Sequence, residues 1–225
     1  MESHANCLAF SSFIRANLQA LHGFQTHREY ERGQTVYCMG DAADEVYLID
    51  RGRVKIVRIS ADGQQKILSI YQNGDCFGEL CICGGTKRSE QAVALESLKV
   101  TSFHVQGLLK ILRKRPEMVV ALLLVICARL REAHDQIATL AFENIPRRLA
   151  REILQLSRSA NATPAPPGEQ VRLNLTHEEL SHLVGTSREM ITTVMNQFRE
   201  RGLVDYTRRN ILVHPERLQA FLERT

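Results

Sequence analysis

The chain has 225 residues, 44% hydrophobic and 24% charged, with a formal net charge of +4. That length accommodates two modest domains, and that composition excludes a disordered chain. The mildly basic balance permits a nucleic-acid partner without demanding one.

The first residues show no basic run followed by an apolar core, and the apolar stretch Met118 to Cys127 is too short to span a membrane. A cytoplasmic location with reduced thiols is therefore expected. The six cysteines are Cys7, Cys38, Cys76, Cys81, Cys83 and Cys127, and they form no disulfide framework. Cys76, Cys81 and Cys83 cluster, but there is no CxxC pair and no histidine between His27 and His104. The cluster reads as mostly buried small hydrophobes, and no metal is expected. The same missing histidines exclude a metal-dependent enzyme on a small β-barrel.

In chain order, residues 8 to 22 carry apolar residues at helical spacing and predict a short leading helix. From about 28 to 104 the texture changes to short β-branched runs, among them Val46 to Ile49, Val54 to Val57 and Lys66 to Ile70. Gly33, Gly40, Gly52, Gly63 and Gly74 punctuate them, which predicts a small all-β barrel or sandwich. Asp62-Gly63 signals a hairpin turn. A long helix follows over about 117 to 142, with Pro116 in its first turn. Val119, Leu123, Ile126, Leu130, Ala133, Ile137 and Leu140 lie at alternating steps of four and three. That spacing is a heptad seam and predicts a two-stranded parallel homodimer.

Asn144 and Pro146 suit an N-cap and a first-turn proline, so the long helix breaks and another begins. Residues 159 to 169 form a proline-rich loop, and Val171 to Leu175 reads as a strand. Two short amphipathic helices then follow. Thr176 with Glu179 has the spacing of a capping box, and Gly185 ends the first helix. Thr186 with Glu189 repeats the box. Met190, Ile191, Val194, Met195 and Phe198 give the second helix its apolar face, and Gly202 stops it. The pair forms a helix-turn-helix. The other face of its second helix carries Ser187, Arg188, Glu189, Thr192 and Thr193, side chains suited to base edges. Leu203 to Tyr206 and Ile211 to Val213 form a hairpin, a wing with Arg208 and Arg209 at its tip near phosphate.

Together these elements resemble the CRP/FNR superfamily of bacterial transcription regulators over about residues 25 to 222. The most specific pieces are Val46 to Val54, Phe77-Gly78-Glu79-Leu80 with Arg88-Ser89, and Gly185 to Glu189. The resemblance implies an α+β architecture. An effector-sensing β-roll (a cupin-like jelly roll) spans 1–115, a dimerisation helix and hinge 116–143, and a winged helix-turn-helix domain 144–225. It also implies a homodimer that binds a palindromic operator, with recognition helices about 34 Å apart, and that meets RNA polymerase.

By the same resemblance, Gly78, Glu79, Leu80, Arg88 and Ser89 form a phosphate-binding cassette for a cyclic nucleotide, with cyclic AMP the expected effector. Gly78 would let backbone approach the ligand, Arg88 and Ser89 would hold the cyclic phosphate, and Glu79 would accept from the ribose 2′-hydroxyl. Ala133 and His134 stand where the family's cyclic AMP receptors hold adenine with a Thr-Ser pair, so the base half departs from the pattern. A constitutive regulator, or one that senses redox state or another small molecule, is the alternative. At the DNA end, Arg188 and Glu189 match the family's base-reading pair, and His177, Thr186 and Ser187 fall among its DNA contacts. Thr193 stands where the family often carries a second arginine.

Overall fold

The computed structural model describes residues 10–16, 23–160, 170–207 and 210–223. They divide into two compact units, Met1–Ala133 and His134–Thr225.

The first unit opens with a helical segment at 10–16; the rest of the predicted leading helix lies outside the described residues. Eight strands follow: β1 (Gln25–Tyr30), β2 (Thr35–Tyr37), β3 (Glu45–Arg51), β4 (Val54–Ile59), β5 (Gln65–Tyr71), β6 (Cys76–Phe77), β7 (Gln91–Ala94) and β8 (Leu98–His104). They form two four-stranded antiparallel sheets, ordered β1-β8-β3-β6 and β2-β7-β4-β5. This is the expected β-roll. Every residue from Val46 to Ile49 is buried because the β3 sheet is covered on both faces. Tyr47 and Ile49 point to the core between the sheets, with Ile56, Phe77 and Val100. Val46 and Leu48 point the other way, into a second core with Phe10, Phe103, Leu108 and Val125. Such a strand reads as a continuous apolar run rather than an alternating one. Asp62 and Gly63 lie in the connection between β4 and β5, where Gly63 has φ 83°.

Glu45, at the start of β3, is a polar junction between strands. It accepts two hydrogen bonds from Arg28, each 2.8 Å, and one each from the hydroxyls of Tyr47 and Ser102, both 2.9 Å. Burial alone would raise its carboxyl pKa. The Arg28, Tyr47 and Ser102 donors outweigh burial and hold it below the ordinary glutamate value.

Two helices end the unit: α1 (Val105–Lys114) and α2 (Pro116–Phe142), the latter continuing into the second unit. Sequence pattern did not single out α1, although it is amphipathic and capped by His104, whose ring accepts from the Gln106 N–H. On α2, Met118, Ala121, Leu122, Val125 and Ala128 are buried. The opposite side is apolar and exposed.

This exposed side corrects the expected seam. Val119, Leu123, Leu130, Ile137 and Leu140 are exposed as a seam requires, and Ala133 is exposed too. Ile126 is not, because it packs against the β-roll core. The centre of the open face lies one position further on for part of its length. It runs Val120, Leu123, Cys127, Leu130, His134 and Ile137, again at steps of three and four.

In the second unit, Asn144 caps α3 (Ile145–Ala160) by accepting from the Arg147 N–H at 3.1 Å. Then come β9 (Val171–Leu173), α4 (His177–Val184), α5 (Arg188–Glu200), β10 (Val204–Tyr206), β11 (Ile211–Val213) and α6 (Pro215–Glu223). The three strands form one sheet, ordered β10-β11-β9, beside the helix-turn-helix. α6 was not foreseen from the sequence. It packs on α3 and places Phe221 edge-on to Phe198, 5.5 Å between ring centroids. No helix among the described residues is long and apolar enough to cross a membrane.

Because Glu45 is held ionised in the fold, its contribution is complete above the unfolded value near 4.3 and is lost as pH falls through the lower folded value. Urea midpoints measured from pH 7 to pH 3 should therefore drop below about 4.3, and Glu45→Gln should flatten that limb. An unchanged acid slope in the variant would assign the loss to other carboxylates.

Candidate effector cavity and DNA-reading face

The cassette begins where β6 runs into a 3-10 turn, Glu79–Cys83, bracketed by Gly78 at φ 77° and Gly84 at φ 94°. Arg88 is buried behind this turn. Its guanidinium donates to the Gly78 carbonyl at 2.9 Å and to the Glu45 carbonyl, and lies 4.3 Å from the centre of the Tyr37 ring. It also lies 5.6 Å from the centre of the Tyr47 ring, and Tyr37, Tyr47 and Phe77 pack on one another, the last two stacked at 4.9 Å.

Gly78 also has a reason to be glycine that is internal to the cassette. A Cβ there would lie 2.8 Å from the Arg88 guanidinium and 3.2 Å from the Tyr47 ring. The left-handed φ is what selects glycine here, and the nearest neighbour of such a Cβ is the tip of Arg88, an internal group.

Beside the cassette is a cavity of about 200 Å³. Its apolar wall includes Ile56, Leu68 and Tyr71, and its charged residues are Glu79, Glu90 and Arg129. Glu79 and Arg129 form a buried ion pair. The same guanidinium donates to the Cys76 carbonyl and lies 4.5 Å from the centre of the Tyr71 ring. Burial disfavours the Arg129 charge, but the Glu79 carboxylate outweighs it and holds the proton firmly. Tyr37 also lines the cavity, and its hydroxyl is buried with no hydrogen-bond partner. Burial, then the charge of Glu90, pushes that phenol far above its ordinary range. Ser89 is exposed and its hydroxyl donates to the Glu90 carboxylate.

Of the expected ligand residues, Gly78, Glu79 and Leu80 line the cavity. Arg88 and Ser89 do not: the first is turned inward to carbonyls and the second to its neighbour. Ala133 and His134 lie exposed on α2. Tyr37, Glu90 and Arg129 escaped sequence reading. Arg129 stands one helical turn before Ala133 on the same helix, and that spacing could have found it. Tyr37 carries no such signal, since a tyrosine on a strand reads as core. Cys76 and Cys81 are buried, whereas Cys83 is exposed. Burial pushes the Cys81 thiol up to about 11. Among the described residues no group of His, Cys, Asp and Glu could hold a metal ion.

In the second unit, the Thr176–Glu179 capping box forms in both directions. The second expected box does not. Ser187 is the N-cap of α5 and accepts from the Met190 N–H at 3.2 Å. Thr186 instead closes the preceding turn, its N–H reaching the Ser181 carbonyl at 3.1 Å beside that of Gly185 at 2.8 Å. The cap therefore lies one residue later than the spacing suggested. Met190 is likewise exposed and does not join the core face of α5.

Ser187, Arg188, Glu189 and Thr193 stand exposed at the start of α5. Thr192 is partly covered, and its hydroxyl meets His177 Nδ1 at 3.0 Å and the Arg188 carbonyl at 3.0 Å. Burial, then the nearby Arg188 charge, lowers the His177 pKa. With its one proton given to the Arg188 carbonyl, the Thr192 hydroxyl accepts from His177 Nδ1–H, which leaves the neutral ring's buried Nε2 no proton to offer a phosphate. Arg208 and Arg209 lie outside the described residues.

A β-roll with a cassette-side cavity, joined in one chain to a winged helix-turn-helix, is the architecture of a DNA-binding transcription regulator. The cyclic nucleotide-binding domain family matches residues 27–115, and the Crp-like helix-turn-helix domain family matches 147–221. The CRP-like cAMP-activated global transcriptional regulator of Mycobacterium tuberculosis is 33% identical over 82% of each chain. The cyclic AMP receptor protein of Thermus thermophilus is 32% identical over the same shares. The chain belongs to the CRP/FNR superfamily of transcription regulators. The fold alone is shared with the c-di-GMP responsive global regulator CLP of Xanthomonas campestris, at a TM-score of 0.77 and 21% identity over 89% of this chain and 99% of that one.

Two outcomes follow from the internal bonds. Arg88→Ala should destabilise the effector-free β-roll by about 2–4 kcal/mol in urea unfolding, since two carbonyls lose their donor. Unchanged stability would return Arg88 to a purely ligand-facing role. Ser187→Ala should cost about 1 kcal/mol, and Thr186→Val markedly less. The reverse ranking would restore the cap at Thr186.

Proposed function

We propose that the chain works as a homodimer whose DNA binding is gated by a small effector held in the β-roll, with cyclic AMP the first candidate. The observation that carries this reading is the cavity at the cassette. Its Ile56, Leu68 and Tyr71 wall suits a purine, and Glu79 offers an acceptor to a ribose hydroxyl. The names of the mycobacterial and Thermus relatives support the same nucleotide.

Dimerisation is supported by the open face of α2, where Leu123, Leu130 and Ile137 are 58%, 55% and 64% exposed. A contiguous apolar stripe of that kind marks an interaction surface. Two copies would present two recognition helices to a palindromic operator, with Arg188 and Glu189 reading bases. RNA polymerase is the further partner, and the cytoplasm the expected location. An effector that binds one arrangement of the dimer better than the other shifts the population toward it.

An effector other than a cyclic nucleotide is the second reading. It is favoured by one observation, that Arg88 is bonded to the carbonyls of Gly78 and Glu45 and does not line the cavity. Of the three cysteines a thiol-oxidation reading would use, Cys76 and Cys81 are buried and gain little support, and Cys83 alone of the three is exposed.

Calorimetric titration of cyclic AMP, and then cyclic GMP, into nucleotide-stripped protein tests the first reading. Micromolar binding of cyclic AMP is expected, and no heat from either nucleotide would favour the second. Leu130→Glu should shift the protein from dimer to monomer in sedimentation; an unchanged dimer would overturn the seam.

A further inference from the structure

We propose that Glu90 is a specificity-determining residue of this cavity, a built-in anion that holds the Ser89 hydroxyl and opposes the entry of a phosphate. The inference rests on reading the cavity as a nucleotide site and deepens that reading.

Three charged side chains line the cavity. Glu79 and Arg129 neutralise each other as a buried ion pair. The positive charge of Arg88 lies behind the Tyr37 ring and is bonded to carbonyls. The charge left facing the cavity is therefore the carboxylate of Glu90. The Ser89 hydroxyl, exposed next to Glu90 rather than in the cavity wall, is the donor that the cassette pattern gives to a phosphate, and it is turned to that carboxylate.

The Tyr37 hydroxyl supplies an independent observation. It is buried in the same cavity and has no partner. A buried O–H without an acceptor is costly, so the cavity is built for a ligand that brings an acceptor. A cyclic phosphate brings one, but must first move Glu90 off Ser89 and sit beside a like charge. Two like charges about 5 Å apart at a partly buried site repel by more than the ~1.4 kcal/mol that corresponds to a factor of ten. Neutral nucleosides are not so opposed.

The test compares wild type, Glu90→Gln and Glu90→Ala by calorimetry, each titrated with cyclic AMP and separately with adenosine. Gln keeps the size and an acceptor for Ser89, so the fold is preserved while the charge is lost. Cyclic AMP should bind Glu90→Gln at least tenfold tighter than wild type, with adenosine affinity unchanged. A merely structural role would move both ligands together and would overturn the proposal. Equal cyclic AMP affinity in wild type and both variants would overturn it too, while leaving the cavity a nucleotide site. Binding in the variants but not in wild type would uphold the role of Glu90 and refute cyclic AMP as the natural effector. No binding in any of the three would overturn both the role and the nucleotide reading.

Discussion

The buried ion pair between Glu79 and Arg129 is the interaction that holds the cassette against α2. It ties the 3-10 turn of the cassette to the helix that carries the exposed apolar stripe. An ion pair removed from water contributes little net stability, because desolvation offsets most of the attraction, but loss of one partner strands a buried charge. The pair is reinforced by the Cys76 carbonyl and by the Tyr71 ring, so Arg129 is fixed on several sides at once. A ligand hydroxyl that competes for Glu79 would bear directly on Arg129, and through it on α2. One side chain thus joins the cavity wall to the helix within the first unit.

The fold was largely legible in the sequence because its signals are local. Glycine punctuation between β-branched runs marks strands, and Thr176, Glu179 and Gly185 bracket α4 by capping chemistry that works within one turn. What the sequence concealed depends on the tertiary environment. Heptad spacing identified the α2 stripe but not its centre, because the β-roll covers Ile126 and a helix has no way to record which of its faces will be covered. Thr186 and Ser187 are both competent caps, and the choice fell to whichever was not already closing the turn after α4.

The candidate site was legible in the identity of its residues more than in their roles. Glu79 lines the cavity as the cassette pattern implied. Gly78 and Arg88 serve each other instead, one lacking a Cβ so that the other can reach two backbone carbonyls. A motif records residue types that coexist at a spacing. Whether an arginine faces a ligand or a carbonyl is decided by contacts that span 43 residues here, from Arg88 to Glu45.

At the start of α5 the same distinction applies to Thr193. The family often carries an arginine there, able to fork onto guanine. The Thr193 hydroxyl donates to the Glu189 carbonyl at 3.1 Å, so its one proton is committed to its own helix. Thr192 is occupied likewise, by the Arg188 carbonyl and His177. Arg188 and Glu189 stand exposed beside them at the start of the same helix, where the sequence pattern places base reading.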